Sequence, residues 1–401
     1  IEFLRWAGMP GGRKPEKPEQ GFWELIGPRH RAKLMRHAAI PLLALPFVCA
    51  FVCIPMLVLG TAQIFDRDAK TFSECSQRPS LHGYPAVEGH EVQTADGVTL
   101  TLWRVPGKGA RPLRPILVLS GLECSARDWF AGLGEEALPW VFWRAGFDVW
   151  LGNNRGTFLT TTPTWNWTFT SMADFDLPAM IDAILSTTGA ASLAYIGHSQ
   201  GALQAFMHFS SNATTAARVS HFAAWAPSLY LSQRRFFWNA LSFLRLDVLM
   251  KPWSGPGTSF TKPEAMQRHK CWVKCSACAN DMGGSFMEGH RGFASTCEEK
   301  FRCIPAGTSS DNMRVFAETL RNGGLMEYLA KLGQPIKFSN LQMPVSFAVG
   351  DMDLFMQPAD VRRIQQQCSP GIALDLQVLQ GFGHMDLVWG TQAPNLLFKP
   401  L

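Results

Sequence analysis

Short apolar runs recur along the chain without alternating polar positions, at Ile116 to Leu119, Phe147 to Leu151, Ala194 to Ile196, Phe222 to Trp225 and Val345 to Val349. Runs of this length predict strands buried on both faces. Helical stretches lie between them, such as Met172 to Leu185 and Ala202 to His208. The alternation of the two types predicts a mostly parallel central sheet with helices on both faces. From Glu91 to Val105 apolar and polar positions do alternate, around Ala95-Asp96-Gly97, which is the pattern of a hairpin.

The strand and helix pattern stops between residues 228 and 338, where glycines, aromatics and cysteines accumulate. That stretch reads as an inserted cap or lid. A chain of 401 residues exceeds what one compact core usually fills, which agrees with a main domain plus an insertion. The expected organisation is a tail (1–37), a membrane helix (38–60), a linker with Pro79, Gly83 and Pro85 (61–88), a core in two parts (89–227 and 339–401) and the cap (228–338).

The membrane helix is predicted because no residue from Ala38 to Gly60 is charged, a length that spans a bilayer core. Pro41, Pro46 and Pro55 would break a helix in water and are better tolerated in a membrane. Arg29, Arg31, Lys33 and Arg36 precede the segment, whereas mixed charges follow it. The positive side stays in the cytoplasm, so a single-pass protein with an extracytoplasmic or lumenal catalytic part is expected. The glycosylation sequons at Asn166 and Asn212 agree with that side.

Composition narrows the partners. Hydrophobic residues make up 47% of the chain against 17% charged, with 28 Phe and 14 Trp, a balance suited to an apolar substrate or a lipid surface. The net charge of +5 is small, and no basic stripe is interleaved with aromatics, so nucleic acid is excluded as a partner. Cys271, Cys275, Cys278, Cys297 and Cys303 cluster in the insertion. A C-x-x-C pair there superficially suggests zinc, but no second pair matches it, and an extracytoplasmic domain favours disulfides.

The chemistry centres on Gly197-His198-Ser199-Gln200-Gly201, a G-x-S-x-G string between the strand Leu193 to Ile196 and a helix starting near Ala202. A sharp strand-to-helix turn tolerates only glycine at the flanks and lifts the serine hydroxyl above the sheet. Serine needs a neutral imidazole to take its proton and a carboxylate to fix the imidazole tautomer. Downstream, Val345 to Gly350 delivers Asp351 and Asp353, and the strand Leu374 to Leu379 leads to His384, framed by Gly381 and Gly383. The backbone N–H groups of Gln200 and Leu122 stand where an oxyanion hole needs donors. No cofactor and no metal are required.

These residues resemble the acid lipase family of α/β-hydrolases, which includes gastric lipase, lysosomal acid lipase and the membrane-anchored steryl ester hydrolases of fungi. The resemblance extends beyond the elbow to Val92 to Gly97, Asp148 to Gly156, Asp176 to Ala179, and Pro305 to Ser309 with Asn312-Met313. It implies an α/β-hydrolase core with a lid, acting on triacylglycerol or steryl esters. Carried over, the catalytic residues are Ser199, Asp353 and His384; the register of Asp353-Leu354, Pro358 and Asp360-Val361 selects Asp353 over Asp351. Ser120 stands where the family usually has histidine, and Gln357 where it usually has aspartate. The alternative reading is a non-catalytic hydrolase-fold subunit of a membrane assembly, with other subunits as partners.

Overall fold

The computed structural model describes residues 69–108, 115–230, 303–304, 306–321, 324–353 and 355–398, within the compact unit Gln63–Leu401. The predicted tail and membrane helix, and the insertion from 231 to 302, lie outside the described residues. Among the described residues no helix is long and apolar enough to cross a membrane.

One sheet carries β1 (Glu88–Gln93), β2 (Thr99–Val105), β3 (Ile116–Leu119), β4 (Val149–Gly152), β5 (Leu193–His198), β6 (Val219–Trp225), β7 (Val345–Gly350) and β8 (Ala373–Leu379). Its order is β1-β2-β4-β3-β5-β6-β7-β8. β2 pairs antiparallel with β1 and β4, and every other neighbouring pair is parallel. This is the mostly parallel sheet of an α/β-hydrolase. Every residue of β3 and β4 is buried, which explains why their sequences are uninterruptedly apolar. The hairpin turns at Gly97, whose φ of 85° favours glycine, and the Thr94 hydroxyl accepts from Val98 N at 2.9 Å to close it.

The principal helices are α1 (Ala69–Ser76), α2 (Leu138–Arg144), α3 (Leu177–Thr188), α4 (Gln200–Ser211), α5 (Ser310–Arg321), α6 (Leu325–Lys331), α7 (Pro358–Gln365) and α8 (Asp386–Trp389). The helix predicted from Met172 is entered through the short turn Phe169–Ser171 and runs as a wide π segment, Met172–Asp176, before α3. Pro178 has no N–H to continue an α-helical ladder backwards, which is why the geometry changes at that point. The linker holds α1, and Cys75 on α1 forms a disulfide with Cys303, 228 residues away. Cys303 is thereby drawn out of the cysteine cluster, whose other members lie outside the described residues. Cys124 and Cys368 are free thiols.

Three of the strings that carry the resemblance meet in one ion-pair network, in which Arg155 and Asp176 are buried and Asp96 reaches solvent. The Arg155 guanidinium donates to both oxygens of Asp96 at 2.6 and 2.9 Å and to Asp176 at 2.8 Å, and Arg155 N donates to Asp176 at 2.9 Å. Burial lifts the Asp176 carboxyl to about 6 against the pull of Arg155. The network pins the hairpin turn and the start of α3 to the segment after β4, and truncating Arg155 would leave the Asp176 carboxylate buried without its counter-charge.

His208 sits buried on α4 with Nε2 lacking a hydrogen-bond partner among the described residues, and burial lowers its imidazole from 6.5 to about 4. The unfolded chain takes up that proton near pH 6.5 and the folded one does not, so stability present above pH 6.5 falls as pH drops towards 4. The loss should reach about 3 kcal/mol. Denaturant melts at pH 7 and pH 4 should show it in the wild type and show a correspondingly smaller loss in His208→Gln; equal losses in the two proteins would contradict the assignment.

Candidate active site

β5 runs directly into α4 through Ser199, which has φ 55° and ψ −116°, a conformation uncommon for a residue with a side chain. Its glycine neighbours are sterically required. A Cβ on Gly197 would lie 2.7 Å from Ala202 N, and one on Gly201 would lie 2.6 Å from the Leu119 carbonyl oxygen. Ser199 N donates to the Trp225 carbonyl of β6 at 2.9 Å, so the turn is tied to the sheet as well as bent.

Because β5, β7 and β8 are parallel, their carboxyl ends share one edge of the sheet, and the predicted side chains follow those ends. His384 Nδ1 donates to Asp353 Oδ2 at 2.8 Å. Both residues are buried, and Asp353 is fully so. The other carboxylate oxygen, Oδ1, accepts from Phe355 N at 2.8 Å and Met356 N at 2.9 Å. This side chain therefore has both oxygens engaged, which fixes its direction. Asp351, the other candidate in the sequence, accepts instead from Gly381 N at 2.6 Å and shapes the loop that leads to His384.

His198 plays a part that the sequence pattern does not reveal. Its Nε2 donates to the His384 carbonyl at 3.0 Å, and the two rings lie 4.7 Å apart. Burial pushes the His198 imidazole well below its usual range, with the neighbouring His384 adding to the effect, so it is neutral. The residue ahead of the serine thus props the loop that carries the downstream histidine.

Ser199 Oγ is hydrogen-bonded to Ser228 Oγ at 2.9 Å. Among the described residues it makes no hydrogen bond to His384. Ser228 lies just past the end of β6, on the same sheet edge, and no motif marks it. The loop Ser120-Gly121-Leu122 follows β3 and packs against the serine: a Cβ on Gly121 would come within 2.9 Å of Ser199 Cβ. Ser120 accepts from Trp129 Nε1 at 2.7 Å and donates to the Ser125 carbonyl at 2.9 Å, so its hydroxyl holds the loop in shape. Leu122 is half-buried beside it, and Gln200 opens α4. Among the described residues no group of histidine, cysteine and carboxylate side chains could hold a metal ion.

A family model described as alpha/beta hydrolase fold matches residues 114–249, and one described as a partial alpha/beta-hydrolase lipase region matches residues 75–133. Lipase lipl-1 of Caenorhabditis elegans is 29% identical, covering 86% of this chain and 95% of that protein. Gastric triacylglycerol lipase of Bos taurus is also 29% identical, over 81% of this chain and 89% of its own length. Among solved structures, an esterase from Exiguobacterium antarcticum (EaEST) superposes with a TM-score of 0.51 at 13% identity, covering 78% of this chain and 99% of the other. That likeness speaks to the fold, whereas the named relatives extend across most of both sequences and are lipases. The chain therefore has the α/β-hydrolase fold, is similar over most of its length to lipases that include gastric triacylglycerol lipase, and is a carboxylic ester hydrolase.

Proposed function

We propose that this protein hydrolyses the acyl esters of apolar lipids, triacylglycerol first and steryl esters second, by nucleophilic catalysis with Ser199, His384 and Asp353. The observation that carries the reading is the buried 2.8 Å bond from His384 to Asp353, on the sheet edge that also bears Ser199. Ser199 turns from Ser228 towards His384 Nε2, which takes its proton as Oγ attacks the ester carbonyl. The oxyanion lies against Gln200 N–H and Leu122 N–H. The imidazolium, stabilised by Asp353, returns the proton to the departing alcohol oxygen and leaves an acyl group on Ser199. Water then gives a proton to His384 as its oxygen attacks the acyl carbon, and the adduct collapses in the same hole, releasing the fatty acid as His384 returns the proton to Ser199 Oγ.

The names of the relatives support triacylglycerol as the first substrate to test. The disulfide between Cys75 and Cys303 supports an oxidising compartment, and so an extracytoplasmic or lumenal catalytic part. We extend the reading to a single membrane anchor at 38–60 and to a lid formed by the insertion between β6 and β7.

Covalent labelling tests the central claim. A fluorophosphonate probe should label the wild-type chain stoichiometrically and the Ser199→Ala chain not at all. A subunit that has kept the fold without the chemistry would leave the wild type unlabelled, and that result would defeat the proposal. Assays on triolein and cholesteryl oleate emulsions then rank the substrates.

A further inference from the structure

The connection from β6 to β7 returns to the sheet through a short strap, residues 306–312, in which Ala306, Thr308, Ser309 and Asn312 are all at most 1% exposed. At its start, Ala306 N donates to the Glu123 carbonyl at 2.6 Å and Gly307 N donates to the Glu123 carboxylate at 3.2 Å. Glu123 directly follows Leu122 and has a φ of 61°, which a residue with a side chain adopts only when its surroundings hold it there. At the other end, Asn312 Nδ2 donates to Gln200 Oε1 at 3.0 Å and to Thr308 Oγ1 at 3.0 Å. Asn312 Oδ1 accepts from Phe169 N at 2.7 Å, and Asn312 N donates to Ser309 Oγ at 3.0 Å.

Every hydrogen-bonding group of the Asn312 side chain is therefore used, in a site without water-facing surface. Such a fully satisfied buried network is rigid, and losing one member costs more than one bond. The same strap grips the residue after Leu122 and the side chain of Gln200, which come from segments far apart in the chain. Just ahead of it, Cys303 is tethered to Cys75 on α1.

We propose that the strap 306–312 is the positioning element of the oxyanion hole, with Asn312 as the residue that sets the Gln200 end. The proposal rests on the assignment of the Leu122 and Gln200 N–H groups as the donors. An oxyanion donor is effective only at about 2.7–3.1 Å from the developing charge, so a brace that fixes both donor segments acts on turnover rather than on substrate binding. It also links the β6–β7 connection, which carries the insertion, to the chemistry at the sheet edge.

The test uses the full chain and p-nitrophenyl butyrate, with kcat expressed per site titrated by a p-nitrophenyl phosphonate. Asn312→Ala should lower kcat by about 10- to 100-fold, short of the roughly 100- to 1,000-fold loss that follows removal of a donor, and leave KM within about threefold. In a Gln200→Ala background the same substitution should have an effect below about threefold, because its partner is already gone. An unchanged kcat per titrated site, a loss confined to KM, or full additivity in the double variant would overturn the proposal. If Asn312→Ala gives no folded protein, Gln200→Ala alone carries the test: a kcat loss of similar size supports the brace, and wild-type kcat refutes it. Ser199→Ala as control separates this inference from the functional one. An inactive Ser199→Ala beside a wild-type-like Asn312→Ala defeats the strap alone, whereas an active Ser199→Ala defeats the function on which the strap depends.

Discussion

Replacing Ser199 with alanine should reduce hydrolysis of p-nitrophenyl butyrate by about 10⁶-fold, to whatever the oxyanion hole and binding supply alone. The size follows from the chemistry: alanine has no atom that can form the acyl-enzyme, and His384 is left without a proton to accept. The fold should survive. The Ser199 hydroxyl bonds only to Ser228 among the described residues, and alanine meets the φ of 55° with no more strain than serine does. The expected stability change is therefore about 1 kcal/mol, the worth of one hydrogen bond. A thermal melt within a few degrees of wild type, together with lost turnover, is the anticipated pair of results. Turnover within tenfold of wild type would mean that the ester is cleaved elsewhere.

Asp353→Asn should lower kcat by about 10⁴-fold while leaving the site's geometry in place. Asparagine can still accept the Phe355 and Met356 N–H bonds through its oxygen, so the turn after β7 stays formed. Its amide would then face His384 Nδ1 with a donor. The imidazole must present a lone pair on Nδ1 and carry its proton on Nε2, which is the tautomer that cannot take a proton from serine. Asp351→Asn is the internal control. Among the described residues the Asp351 side chain accepts only from Gly381 N, a role asparagine can fill, so its kcat should stay within about threefold of wild type. Equal losses in the two variants would show that the sheet-edge loops tolerate neither change, and that the bond between His384 and Asp353 has no special part in turnover.

The strands were legible because burial on both faces leaves a direct mark, an apolar run, as in β3 and β4. The hairpin was legible through its alternation and through Gly97. The elbow was legible for a steric reason, since any side chain at Gly197 or Gly201 collides with backbone. The helical stretch from Met172 was legible, but not its opening as a π segment ahead of Pro178, because apolar periodicity does not distinguish the two ladders. A choice between Asp351 and Asp353 was open on spacing alone, as both follow the same strand and either could reach a histidine in a neighbouring loop.

Periodicity, glycine placement and strand order are local or near-local properties, and they determined the sheet, the nucleophile's turn and the loops in which a carboxylate and an imidazole would be found. Pairings between residues distant in sequence depend on which strands become neighbours and how loops settle on their edge. Only the tertiary structure decided that Ser199 rests on Ser228, that His198 props the loop of His384, that Asp96, Arg155 and Asp176 share one ion-pair network, and that Asn312 reaches Gln200. A side chain's partner is chosen by distance in space, and the linear order of residues encodes that distance only after the sheet has formed.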